Sequence, residues 1–330
     1  MTVQITRRRL ITVAAAAAGL PLILKAGGVQ ARLITWEGTT LGAPSSIKLV
    51  AADEAKARAA IAAALAELER LEQVFSVYRA DSAISALNRD GRLDAAPADF
   101  VALLSKSLEL ARVSGGAYDP TIQPVWQTYF RHFTQANPDP EGPARRDLDA
   151  ALALVGWQGV DIAGTSVRFA RPGMALTLNS GAQGYITDRV ADVLRGHGFD
   201  RMLVDMGEPR ALSTKPDGSA WRIGIADPAD PSRAITEIDV VDKAVSTSGG
   251  YGTLFDDAGR FTHLIDPRSG GTAPALLSVS VVADTATRAD GLSTALLMAA
   301  AGDRAQVLRA AGGLMALTVT PERVVDRIEA

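Results

Sequence analysis

Between Asp53 and Phe75 the apolar residues Ala60, Ala64, Leu65, Leu68, Leu71 and Val74 recur at intervals of about three to four. That spacing places them on one stripe of a helix, and the stripe must be covered by other elements. Asp53 stands where an N-cap belongs. Two strands are expected before this helix, over 32–51, around Gly38 and Gly42-Ala43-Pro44. Helical spacing returns over 98–113, stopped by Ser114-Gly115-Gly116, and again over 120–133 and 146–155. From Val160 the pattern becomes that of strands, over 161–163, 167–169, 175–178, 201–206, 221–226, 235–241, 263–265 and 277–283, with a helix over 185–197. Helices over 289–301 and 304–311 and a last strand over 313–319 close the chain. The reading is α+β, with mixed or antiparallel sheets flanked by helices. The Pro/Asn/Asp/Gly-rich stretch between Phe133 and Pro143 reads as a surface loop. Apolar faces run throughout, so residues 32–330 are expected to form one compact domain.

Composition removes several chemistries. The chain has 330 residues and no cysteine, so disulfides, iron–sulfur clusters and thiolate zinc sites are excluded. Three histidines, His132, His197 and His263, argue against a multi-histidine transition-metal site. The net charge is −3 without a basic patch, which argues against nucleic acid as a partner.

The first residues read as an address. Arg7-Arg8-Arg9 precedes an Ala-rich apolar run from Thr12 to Leu24, and Val29-Gln30-Ala31 gives a small-x-small end. This is the pattern of a twin-arginine export signal over 1–31, and it predicts a periplasmic protein. The run is short for a membrane span, so no stable insertion is expected once the leader is cleaved. A buried N-terminal helix and an uncleaved anchor are the alternatives. Removing the leader's four positive charges takes the net charge from −3 to −7.

Two late segments carry chemistry. Ser246-Thr247-Ser248-Gly249-Gly250-Tyr251 reads as a hydroxyl- and glycine-rich turn, followed by a short strand that ends in Asp266-Pro267-Arg268. Ala289-Asp290 … Thr294 opens a helix, and residues four apart share a face, so Asp290 and Thr294 lie together near its start. A carboxylate and a hydroxyl beside His263 and Asp266 suit a hard cation such as Mg²⁺ held against a phosphate. Taken alone, Asp290 would read as a helix N-cap and Thr294 as a back-bonded helix threonine.

Several blocks then occur in a recognisable order. They include Phe75-Ser76-Val77-Tyr78-Arg79 … Asn88, Gly116-Ala117-Tyr118-Asp119-Pro120-Thr121, and Ser180-Gly181-Ala182-Gln183-Gly184-Tyr185-Ile186-Thr187-Asp188. Val204-Asp205-Met206-Gly207-Glu208, Thr247-Ser248-Gly249, His263-Leu264-Ile265-Asp266-Pro267-Arg268 and Ala289-Asp290 … Thr294-Ala295 complete the set. From about Gly38 to Val319 the chain resembles the ApbE family, FAD:protein FMN transferases. The resemblance implies an ApbE-like fold and Mg²⁺-dependent transfer of FMN from FAD to a Thr or Ser hydroxyl of a partner protein, with AMP released.

The same resemblance implies roles for individual positions. Asp290 and Thr294 match metal ligands. A third contact comes from the Ser180–Ala182 turn, through either the Ser180 hydroxyl or the Ala182 carbonyl. His263 and Asp266 match the catalytic block, with His263 as proton acceptor or hydroxyl holder. Leu41, Tyr78, Ala117, Tyr118, Asp119, Thr177, Gln183, Thr247, Ser248, Gly249 and Leu264 match positions that contact FAD. The chain departs from its relatives in carrying Thr177 for Asp, Gln183 for Lys, Leu41 for Met and Glu208 for a second glycine. The uncharged Gln183-Gly184-Tyr185-Ile186-Thr187-Asp188 version resembles an exported branch that includes NosX-like proteins, and the leader fits such a branch. The implied acceptor is an exported or membrane-bound flavoprotein with a flavinylation threonine, such as the NosR-like protein of nitrous oxide reduction. Two other functions fit the same residues: an FAD-binding protein without transfer, and an Mg²⁺-dependent FAD pyrophosphatase.

Overall fold

A computed structural model describes residues 31–40, 43–272 and 275–330 of the chain. Leu41 and nearly all of the leader lie outside these residues. The chain begins with a hairpin, β1 (Arg32–Thr40) and β2 (Ala43–Ala51), and enters α1 (Glu54–Phe75). The Asp53 side chain caps α1 by accepting from the Lys56 amide at 3.0 Å. Then come α2 (Ala83–Asp90), β3 (Arg92–Leu93), α3 (Ala98–Val113), a 3₁₀ turn over Pro120–Ile122, α4 (Gln123–Phe133) and α5 (Arg145–Leu152). After β4 (Val160–Ala163) and β5 (Ser166–Phe169) the chain forms α6 (Asn179–Gly196), β6 (Met202–Asp205), β7 (Pro209–Leu212), β8 (Trp221–Asp227), β9 (Asp230–Val240) and β10 (Ala244–Gly249). It finishes with β11 (Ser278–Ala283), α7 (Ala286–Met298), α8 (Arg304–Ala310), β12 (Met315–Val319) and β13 (Val325–Glu329).

The main sheet has eight strands in the order β1-β2-β6-β7-β10-β11-β12-β13, and all its pairings are antiparallel. Helices cover one face. Ile47 and Leu49 of β2 pack with Leu68 and Leu71 of α1 and Ile186, Val190 and Leu194 of α6. Farther along, Val279 and Val281 of β11 meet Ala289, Leu292 and Leu296 of α7 and Leu308 of α8. The other face is closed by the β8–β9 hairpin, whose Trp221, Ile223, Ile225 and Val240 lie on Leu203, Ala211, Val245, Val282 and Leu317. The alternation of β10 and β11 follows from this two-sided burial. Val245 and Val282 face the hairpin, whereas Ala244, Val279 and Val281 face α7.

The fold is α+β, as the order of elements implies. Five local expectations are corrected. Residues 175–178 join no sheet, and 263–265 form loop, with an isolated Leu254–Thr262 bridge before them. The hydroxyl-rich segment 246–249 is the end of β10, paired residue by residue with β11. Residues 120–133 divide into a 3₁₀ turn and α4, because Asp119 caps the first piece through Thr121 and Pro124 starts the second. The strand at 315–319 is followed by another, β13. Among the described residues no helix is long and apolar enough to cross a membrane.

Candidate functional site

The site forms where α6 and α7 cross. Gly184 of α6 lies so close to the first turn of α7 that a Cβ there would come within 2.3 Å of the Ala286 carbonyl oxygen. Asp188, one turn on, grips the start of α7. Its carboxylate accepts from the Ala286 and Thr287 amides, both at 2.9 Å, from Thr287 Oγ1 at 2.6 Å and from Arg210 Nη1 at 2.8 Å. These four bonds tie α6 to the first turn of α7. Thr285 is the cap of α7, so Asp290 sits one turn inside the helix and is not its N-cap.

Asp290 is buried, and its Oδ2 accepts from the Gly184 amide at 2.9 Å. Burial pushes the Asp290 carboxyl up to about 7, and the nearby Asp188 charge acts in the same direction. Ser180 breaks the first turn of α6, with ψ at 39°, while the Gly184 amide four residues on is turned to Asp290. The Ser180 carbonyl lies against α7, 3.5 Å from where a Gly291 Cβ would be. Ala182 is inside the helix and fully buried, with its amide on the Leu178 carbonyl.

The donors available along this stretch are the Asp290 carboxylate, the Thr294 hydroxyl on the same helix and the oxygens of the Ser180–Ala182 turn. All are hard oxygens, and this set fits Mg²⁺ better than a soft metal. No group of three His, Asp or Glu side chains among the described residues is arranged to hold a metal, so any cation here depends on the neutral oxygens as well.

A cleft opens beside Ser180 and Thr294. Tyr78, Ala117, Tyr118, Asp119, Thr177, Ser180, His263, Leu264 and Thr294 all line it. Trp126, Gln123, Ile265 and Met298, which no sequence motif marks, line it as well. Trp126 stacks on Phe130 at 5.1 Å, and the cluster continues through Phe255, Tyr129, Phe261 and Phe133. The aromatic spacing in α4 was the available signal, since residues 126, 129, 130 and 133 share a helix face.

Each wall is held by its own bonds. Asp119 accepts from Thr121 N at 2.8 Å, Thr121 Oγ1 at 2.6 Å and Trp157 N at 3.0 Å. These bonds make it a hub of the cleft wall, and burial raises its carboxyl. Tyr118 is buried and its hydroxyl is pushed up by burial, which keeps the ring neutral. Tyr78 is 69% exposed and stands at the rim. The Thr177 amide donates to the Pro120 carbonyl at 2.8 Å, and its hydroxyl accepts from the Asn179 amide at 3.3 Å.

His263 is held by the backbone of a neighbouring loop. Its amide and its Nδ1 both meet the Thr253 carbonyl, at 3.1 Å each. A carbonyl only accepts, so Nδ1 carries the proton and Nε2 keeps a lone pair. Burial lowers the imidazole pKa, and the Thr253 bond opposes this only in part. The ring is thus a neutral base. Asp266 is placed differently. Burial disfavours its charge, but the bonds from Arg268 outweigh that and hold the carboxyl below its ordinary value. Its oxygens accept from Arg268 N, Nε and Nη2 at 2.9, 2.9 and 3.1 Å. Arg268 also donates to the Met298 carbonyl at 2.8 Å. Asp266 anchors a turn against the end of α7 and does not line the cleft.

The β10 residues are divided by the pleat. Thr247 points away from α7 and pairs with Ser280 at 2.7 Å, so its hydroxyl does not reach the cleft. Ser248 faces α7 and bonds Thr294 at 2.8 Å. Gly249 ends the strand without lining the cleft. Gln183 packs on the β6–β7 turn, its amide nitrogen 2.4 Å from where a Gly207 Cβ would be. The next residue, Glu208, is buried, and burial together with the Asp290 charge raises its carboxyl.

An antiparallel sheet covered by helices, with an aromatic cleft ending on oxygen donors at an α6–α7 crossing, defines an α+β enzyme fold of the ApbE type. The chain belongs to the ApbE family, whose profile matches residues 41–318. It is 30% identical to the FAD:protein FMN transferase of Klebsiella pneumoniae over 287 residues, 84% of this chain and 81% of that one. With the enzyme of the same name from Treponema pallidum it shares 32% over 279 residues, 76% of each chain. Among solved structures, the flavin transferase ApbE from Vibrio cholerae superposes with a TM-score of 0.76 at 26% identity, covering 91% of this chain and 97% of that one. The apo flavinyl transferase ApbE of Pseudomonas stutzeri gives 0.75 at 29% identity, covering 92% and 97%.

Proposed function

We propose that this protein transfers the FMN half of FAD to a threonine or serine hydroxyl of an acceptor protein, with Mg²⁺ as the assisting cation and AMP as the leaving product. One observation carries the reading. The cleft walled by Tyr78, Tyr118 and Trp126 runs to Thr294 and Ser180, beside Asp290, and has His263 in the same lining. Aromatic faces suit a flavin or adenine ring, and the oxygen end suits a diphosphate with its counter-cation. The names of the relatives agree with this activity.

The acceptor oxygen forms a bond to the phosphorus of the FMN half. The bond from that phosphorus to the bridging oxygen breaks, and AMP departs. The hydroxyl proton passes to His263 Nε2, which is unprotonated because Nδ1 is committed to Thr253. A cation held by Asp290, Thr294 and the Ser180 carbonyl would neutralise charge on the diphosphate. The leader motif supports export by the twin-arginine route, with the reaction in the periplasm. An exported flavoprotein with a flavinylation threonine, of which the NosR-like protein is the candidate, supplies the hydroxyl.

The test incubates the mature protein with FAD, Mg²⁺ and an acceptor domain carrying such a threonine. Flavin fluorescence that stays with the acceptor in a denaturing gel, with equal AMP, is expected. Free FMN plus AMP would replace transfer by hydrolysis, and intact FAD would reduce the protein to a flavin binder.

A further inference from the structure

A chain of hydroxyls joins β10 to α7 behind the cleft. Ser293 Oγ donates to the Asp290 carbonyl at 2.8 Å. Ser248 Oγ lies 2.7 Å from Ser293 Oγ and 2.8 Å from Thr294 Oγ1. Ser246 Oγ stands more loosely at 3.4 Å from Ser293.

The direction of these bonds follows from counting protons. A carbonyl cannot donate, so Ser293 spends its only proton on Asp290. In the contact with Ser248, Ser293 must then accept, and Ser248 must donate. With its proton used, Ser248 can only accept from Thr294. The Thr294 proton is thereby directed into the protein, and the lone pairs of Oγ1 are left for the cleft that Thr294 lines. A helical threonine ordinarily sends its proton to the carbonyl four residues back. For Thr294 that carbonyl is Asp290. It already accepts the helical amide of Thr294, and Ser293 fills its second lone pair.

We propose that Ser248 and Ser293 are positioning residues that fix Thr294 Oγ1 as a pure acceptor, so that it presents its lone pairs to a cation rather than its proton to a phosphate. This rests on the reading of Thr294 as a cation ligand. Residues that orient a metal ligand commonly change metal affinity by about 10–100-fold when altered.

The experiment titrates Mn²⁺ into the FAD-loaded protein by electron paramagnetic resonance, for wild type, Ser248→Ala, Ser293→Ala and Ser248→Thr. FAD affinity in EDTA and the thermal midpoint of the metal-free protein are measured alongside. Ser248→Ala and Ser293→Ala should each weaken Mn²⁺ binding about tenfold or more. FAD affinity in EDTA should not change in Ser293→Ala, and Ser248→Thr should restore Mn²⁺ binding toward wild type. An unchanged Mn²⁺ dissociation constant in both alanine variants would overturn the proposal while leaving the cation site standing. So would a Ser248→Thr protein as weak as Ser248→Ala, since shape rather than the proton would then matter. Wild type that binds no Mn²⁺ at all would remove the cation reading itself.

Discussion

The Gly184 amide donates to Asp290 Oδ2 at 2.9 Å across 106 residues of sequence, and the same glycine lets α6 touch the backbone of α7. Its missing side chain is a requirement, because a Cβ would lie 2.3 Å from the Ala286 carbonyl oxygen and 2.8 Å from the Thr287 amide. Backbone cannot yield as a side chain can. Gly184→Ala should cost about 2–3 kcal/mol of stability, measured by urea unfolding, and should weaken Mg²⁺ binding by moving Asp290. Gly181→Ala is the contrast, since its Cβ would meet only Leu103 Cδ1, at 3.3 Å, and its cost should be below about 1 kcal/mol.

Asp290→Asn keeps an oxygen for the Gly184 amide but removes the charge. Transfer at saturating FAD should fall at least about 100-fold while the circular dichroism spectrum is unchanged. Wild-type turnover by this variant at ordinary Mg²⁺ would remove Asp290 from the cation site.

His263→Ala should lower kcat by about 10²–10⁴-fold and leave the FAD dissociation constant within a few-fold of wild type. The pH profile supplies a second check. The imidazole acts as base only when neutral, and burial shifts its pKa below the ordinary 6.5. The acid limb of kcat should therefore lie below pH 6.5 in wild type and be absent in the variant. A variant impaired mainly in FAD affinity would make His263 a binding residue.

Asp205 gives a pH-dependent stability. Burial raises its carboxyl from 3.8 to about 6, against the Gly207 amide bond and the Lys48 charge, which lower it. Between these values the native state keeps a proton that the unfolded chain has released. Unfolding then releases a proton, so this group's contribution becomes less favourable as pH rises from about 4 to 6. Asp205→Asn retains an acceptor for Gly207 and should be more stable than wild type at pH 7 by about 1–3 kcal/mol. The gain should vanish near pH 4. A gain independent of pH in urea titrations would show that Asp205 is charged throughout.

Much of the fold was legible because its signals are local. The Asp53 cap, the stripe of α1 and the stop at Ser114-Gly115-Gly116 each act within a few residues, and α3 runs over Ala98–Val113 as its spacing implies. What failed depended on distant partners. Residues 175–178 carry a strand-like apolar run, yet their neighbours are Pro120 and Asn88, not a sheet: the Thr177 amide bonds the Pro120 carbonyl, and Leu176 exchanges two bonds with the Asn88 side chain. Ser246–Gly249 has the composition of a turn, but pairing with β11 makes it a strand and sends Thr247 and Ser248 to opposite faces. The Asp290–Thr294 pairing followed from helical spacing. The Ser180 break, the burial of Glu208 and the hydroxyl chain through Ser293 require the crossing of α6, α7 and β10, which no local pattern contains.

Arg268 fastens the loop after His263 to the last turn of α7, and Asp188 fastens the first turn of α7 to α6. The α6 helix and the loop that follows His263 are thus moored to opposite ends of a single rod, and the span between them is set by its length.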